Sequence, residues 1–152
     1  MAYNEDGLER RTSVILLQHW NELRDERLFP HEDELDTDHL SPIWEHCFLL
    51  QVRDVEQVED YNFTYIGPKL VKAYADGVLD MDNGQMVSPQ ATALAEKFRN
   101  VITSCDPLLE EGEYTNAHGE LVKFRQAMLP LGTEDGRVLS VLGGAWYKVF
   151  VA

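Results

Sequence analysis

Residues 108–150, LLEEGEYTNAHGELVKFRQAMLPLGTEDGRVLSVLGGAWYKVF, decide the fold. Three β-prone stretches stand in them: Leu108–Thr115, Glu120–Leu131 and Arg137–Phe150. The connections, Asn116-Ala117-His118-Gly119 and Gly132-Thr133-Glu134-Asp135-Gly136, are short and rich in turn residues, so the three strands predict an antiparallel meander.

Upstream of the meander, Leu94, Phe98, Val101 and Ile102 recur at helical spacing. Ser88 can cap that helix, Pro89 suits its first position, and Asp106-Pro107 closes it. Lys69 to Ala75 reads as a shorter helix. Before it, His46 to Arg53 alternates with Phe48, Leu50 and Val52 on one side, and Tyr61 to Ile66 alternates its aromatic residues. These two stretches predict a hairpin across the acidic link Asp54 to Asp60. Thr37 or Asp38 is placed to cap a short helix running through Trp44.

The first substantial element is a helix over about residues 8–27, ended by Leu28-Phe29-Pro30. Leu8, Ile15, Leu16, Trp20 and Leu23 fall within one arc of roughly 140°, with Thr12 and His19 inside it. Val14 and Leu17 project outside that arc and form a second apolar strip, suited to a partner chain or a covering loop.

Two strands, several helices, then three strands make an α+β domain with one antiparallel sheet. The 152 residues fit one domain, and 27 acidic against 13 basic residues give a formal net charge of −14. So negative a surface repels nucleic-acid phosphate and anionic lipid, and the expectation is a chain that binds neither nucleic acid nor membrane. The acidic start Met1-Ala2-Tyr3-Asn4-Glu5-Asp6 lacks the order of an export signal, so a cytoplasmic location is expected. Cys47 and Cys105 stand in no C-x-x-C pair and read as small hydrophobes. His31 to His39 holds two histidines among five carboxylates, but the spacing fits no compact ligand pattern and no metal is expected. Asp80-x-Asp82 lacks the glycine offset and the closing Glu of a calcium loop.

The order of elements resembles a PAS domain, and Leu129-Pro130-Leu131 followed by Gly136-Arg137-Val138-Leu139 resembles the last hairpin of that superfamily. More specifically, the chain resembles a bacterial, mainly alphaproteobacterial, single-domain PAS family of unknown signal. The residues that carry this are Trp20-Asn21-Glu22-Leu23-Arg24, Pro30, Phe48-Leu49-Leu50, the stretch from Phe63 through Gly67, Pro130-Leu131 and Leu142-Gly143-Gly144. The resemblance covers about residues 16–150. It implies a PAS-like five-stranded antiparallel sheet with helices on one face and an N-terminal helix. Residues 1–152 then form a single PAS-like domain, with the core at about 37–150.

Such a domain holds a small ligand, or a filled core, between the sheet and its middle helices. Candidate lining residues are Phe48, Leu50, Phe63, Tyr65, Tyr74, Met86, Phe98, Met128 and Trp146. Gly143 and Gly144 leave a gap in the last strand that suits a ring, a second backbone, a bulge or packing against Trp20. No histidine stands as an axial haem ligand, and the flavin-photosensor pattern is absent around Cys105, so the cofactor stays open. Cys47 as a nucleophile needs a positioned His, and strand alternation turns His46 to the opposite face. No catalytic residue is assigned.

The leading expectation is a non-enzymatic sensory or regulatory module, acting through ligand binding or protein contact on an unidentified signalling protein. A pure adaptor with a filled core is the alternative. An enzyme on a nuclear-transport-factor-like cone fold is a third. By the resemblance, the N-terminal helix lies across a homodimer interface, with Val14 and Leu17 in it.

Overall fold

The computed structural model describes residues 5–52, 61–75, 92–116 and 118–150. The elements are α1 (Glu5–Arg24), β1 (Cys47–Val52), β2 (Tyr61–Ile66), α2 (Pro68–Ala75), α3 (Thr92–Ser104), β3 (Leu108–Thr115), β4 (Leu121–Gly132) and β5 (Val138–Phe150), with short 3-10 turns at Glu32–Glu34 and Trp44–His46. The five strands form one antiparallel sheet in the order β2-β1-β5-β4-β3. The expected hairpin and meander are both present, joined by the pairing of β1 with β5.

Helices flank both faces of this sheet. In β1, Phe48 meets Phe98 of α3 with ring centroids 5.9 Å apart, so the side bearing Phe48, Leu50 and Val52 faces α3. The opposite side bears Cys47, whose register partner Gly144 lies against Leu16 of α1. The antiparallel sheet is therefore a layer between α1 and α3, and the stretches 127–132 of β4 and 141–145 of β5 are buried on both faces.

α1 crosses β4 and β5. Leu16 and Trp20 are buried at its centre, and Trp20 Nε1 donates to the carbonyl of Pro130 at 2.7 Å. Pro130 stands where the pairing of β4 with β3, which ends at Met128, has already stopped. A residue without an N–H is tolerated at such an unpaired edge.

The ends of the helices show why some boundaries shift. α1 stops at Arg24, three residues before the expected end, because Asp25 takes a left-handed conformation at φ 54°. Arg27 then turns its guanidinium onto the carbonyls of Leu23 (2.5 Å) and Arg24 (3.2 Å). Cys105, at φ 61°, ends α3 in the same way. The expected start of α3 at Ser88-Pro89 lies outside the described residues.

The expected helix before β1 is overturned. The short helix through Trp44 is a run of turns followed by the 3-10 turn, and its cap is Asp36, whose carboxylate accepts the N–H groups of Asp38 (3.0 Å) and His39 (3.2 Å). Pro42 sits in its middle, where it has no N–H to give and disfavours helical angles at Ser41.

Trp20 is 3% exposed, and its truncation to Ala should cost about 3–5 kcal/mol of stability in denaturant unfolding. Trp20→Phe keeps much of the ring but strands the Pro130 carbonyl, and should cost about 1–3 kcal/mol. Loss of less than about 1 kcal/mol in Trp20→Ala would contradict this docking of α1.

Candidate functional site

The layer between the sheet and α3 is built around three phenylalanines. Phe48 from β1, Phe63 from β2 and Phe98 from α3 meet edge to face, with centroids 5.5, 5.9 and 6.4 Å apart. The geometry is the one that ring quadrupoles favour. Leu50 and Met128 are buried on the same face. Across the strands, Leu108, Met128, Gly143 and Phe48 form one register row.

The paired glycines have distinct tasks. A Cβ on Gly143 would stand 2.1 Å from the ring of Phe48, and a Cβ on Gly144 would stand 2.6 Å from Leu16. The gap expected in the last strand is closed from both sides, by an aromatic ring in one layer and an aliphatic side chain in the other. Leu16, not Trp20, is the α1 residue that fills it.

A polar group borders the phenylalanine layer. Lys97 of α3 pairs with Glu110 of β3 at 2.5 Å, and the amide Nε2 of Gln126 donates to the same Glu110 oxygen. Glu110 can only accept when ionised, which fixes which way the Gln126 amide points. Gln126 is 1% exposed, and among the described residues its Oε1 is buried without a hydrogen-bond partner. An acceptor left so costs about 1–3 kcal/mol, which a bound donor would recover.

Of the nine candidate lining residues, Phe48, Leu50, Phe63, Phe98 and Met128 share the α3-facing layer. Met86 and the side chain of Tyr74 lie outside the described residues. The other two are elsewhere. Tyr65 stacks on Trp44 at 4.6 Å and donates its hydroxyl to the Trp44 carbonyl at 2.9 Å. The cause is an extra residue at Thr64: the register passes from Leu50↔Phe63 to Leu49↔Tyr65, which puts Tyr65 opposite a residue of the α1 face. Trp146 has the parity of Gly144 along β5, and therefore the α1 side of the sheet. It meets His46 there, with ring centroids 3.7 Å apart.

His46 belongs to the 3-10 turn rather than to β1, which frees it from strand alternation. Among the described residues its Nδ1 is buried without a hydrogen-bond partner. Burial first, and the nearby Lys69 charge second, push its pKa down to about 4. The Cys47 thiol donates to the Ile43 carbonyl at 3.3 Å, and burial pushes its pKa up to about 12. A thiol held in that state is no nucleophile. Cys47 and Cys105 are both free.

On the α1 side, Val14 is 50% exposed, whereas Leu17 is partly buried against the core. Next to Val14, Ser13 borders a cleft of about 360 Å³ with Leu109, Glu111 and Arg125, the last two paired at 3.1 Å. Residue spacing placed Val14 and Leu17 outside the main arc. It gave no sign of the Lys97–Glu110–Gln126 group, whose members lie on three elements.

Two measurements follow from these groups. Native protein at pH 8 should alkylate slowly at Cys47 compared with denatured protein, by mass spectrometry of iodoacetamide adducts; equal rates would contradict the burial. His46 has a folded-state pKa near 4 against an ordinary 6.5, so the stability its neutral form contributes is full above pH 6.5 and lost as pH falls toward 4. His46→Phe should flatten part of that acid loss in denaturant midpoints measured from pH 7.5 to 4.5. An unchanged slope would count against the buried neutral imidazole.

The PAS domain family model matches residues 8–145. Among solved structures, an isoleucine-to-valine variant of Vivid is 16% identical, with a TM-score of 0.44 over 97% of this chain and 99% of that one. A cysteine-to-valine variant of this fungal photoreceptor is 15% identical, with a TM-score of 0.42 over 86% and 91%. The photo-excited blue-light photoreceptor Vivid is 18% identical, with a TM-score of 0.42 over 95% and 99%. No curated protein matches. With the family model spanning all five strands up to Ala145 and the strand order 2-1-5-4-3 in place, the chain belongs to the PAS domain family.

Proposed function

We propose that the chain is a non-enzymatic, cytoplasmic sensory or regulatory module of signal transduction. Its input is occupancy or rearrangement of the Phe48–Phe63–Phe98 layer, and its output is the surface of α1. The observation that carries this reading is the back-to-back packing at Gly143 and Gly144: Phe48 presses on β5 from one side and Leu16 of α1 from the other. Close-packed interiors transmit a displacement of that kind, because there is no void to absorb it. A ligand that shifts Phe48 therefore shifts the seat of Leu16.

The buried Gln126 Oε1 favours a ligand with an N–H or O–H donor. The filled Gly143 gap favours the second reading, an adaptor whose layer is complete without a ligand and which works by protein contact alone. Acid–base catalysis of the cone-fold kind needs an ionisable group enclosed in apolar surroundings. Glu110 at the edge of the layer is instead ion-paired and 27% exposed at its side chain. Among the described residues no helix is long and apolar enough to cross a membrane.

The output includes a homodimer through α1 and contact with a signalling protein. Val14 supplies exposed apolar area, worth roughly 1.5–3 kcal/mol if fully buried. The net charge of −14 opposes self-association most at low salt. Sedimentation equilibrium should show a dimer that tightens as salt rises and weakens in Val14→Glu, Leu17→Glu; a mutant dimer as tight as wild type would remove α1 from the interface. Native mass spectrometry of gently purified protein separates the two modes of input. An adduct lost on denaturation supports ligand sensing, and a bare mass supports the adaptor.

A further inference from the structure

α1 is tied to the 36–40 turn through a pair of histidines. His19 is 5% exposed, and its Nε2 accepts the backbone N–H of Asp36 at 3.2 Å. The exposed ring of His39 stacks on it, with centroids 4.9 Å apart and planes 20° from parallel. Asp36 also holds His39 in place, since its carboxylate accepts the His39 backbone N–H at 3.2 Å. One residue thus serves both histidines, by its N–H to the first and its carboxylate to the second.

We propose that His19, His39 and Asp36 form a pH-dependent latch, closed while His19 is neutral and released when it gains a proton. The chemistry requires this sense. Nε2 can accept the Asp36 N–H only while it carries no proton, and a protonated Nε2–H would face that donor directly. The groups that act on His19 are His39 and Asp36 from the turn and Glu22 from α1; among the described residues the strands beneath add none. Asp36 and Glu22 favour the proton, whereas burial and His39 oppose it and prevail, holding His19 below the ordinary histidine range. Folding therefore gains from neutral His19 above pH 6.5, and this gain fades as pH falls through the lowered value.

Release frees residues 36–39 from the second half of α1, while buried Leu40 keeps the turn attached to the core. The latch is distinct from the Phe48 layer, and it acts on α1 whether or not a ligand or partner signals there.

Hydrogen exchange by NMR between pH 7.5 and 5.5, corrected for intrinsic rates, tests the latch on the full chain. The Asp36 amide should lose about tenfold in protection as His19 titrates, with the Leu142 amide of β5 as an unchanged reference. In His19→Gln, whose amide keeps an acceptor but cannot titrate, the Asp36 amide should stay within about twofold across the same range. His39→Asn removes the facing imidazole and should raise the His19 midpoint, read from its ring-proton shift. Asp36 protection that is flat in wild type, or that falls equally in His19→Gln, overturns the proposal. Should His19→Gln not fold, an unmoved midpoint in His39→Asn overturns it.

Discussion

Two consecutive residues of β5 carry no side chain, and the two halves of the domain are built against that absence. Gly143 admits the ring of Phe48, and Gly144 admits Leu16. Because neighbouring strand residues face opposite ways, one dipeptide fixes how closely β1's aromatic layer and α1 approach the sheet. A side chain at 143 would displace a buried ring, with no flexible end to yield. The inner phenylalanine cluster, the depth at which α1 sits and the reach of Trp20 to the Pro130 carbonyl all follow from this spacing.

The same spacing gives the sheet a mechanical role. Its α3 side holds an apolar layer edged by a partly buried polar group, and its α1 side holds a helix with an exposed valine. Between them stands a single thickness of backbone. A displacement in the layer has a short path to the helix, and the histidine pair at the far end of α1 adds a second constraint on the same element.

Much of this was legible in the chain. Alternation at Phe48, Leu50 and Val52 predicts a strand with one apolar face, and the turn residues after Thr115 and Leu131 predict the meander that the register confirms. Trp20 in the apolar arc of α1 is buried as its position requires. What failed depended on facts that no local pattern holds. Trp146 has the right chemistry for the pocket and the wrong parity, which becomes apparent only once α1 and α3 are known to take opposite faces. Tyr65 is turned by one extra residue at Thr64, and register slips of that kind leave alternation in the sequence intact. The helix expected through Trp44 had a cap in its favour, and Pro42 outweighs it. The Lys97–Glu110–Gln126 group joins α3, β3 and β4, so only the tertiary fold assembles it.

The packing of Phe48 and Leu16 against the glycine pair joins the two faces of the sheet. A double-mutant cycle of Phe48→Ala and Leu16→Ala, read by equilibrium denaturant unfolding, measures that coupling without reference to any ligand. The two side chains lie on opposite faces, so independent cores would give additive losses within about 0.3–0.5 kcal/mol. The packing described here predicts an interaction energy above about 0.5 kcal/mol, because removing either side chain lets β5 relax toward the vacated layer. Strict additivity would contradict it.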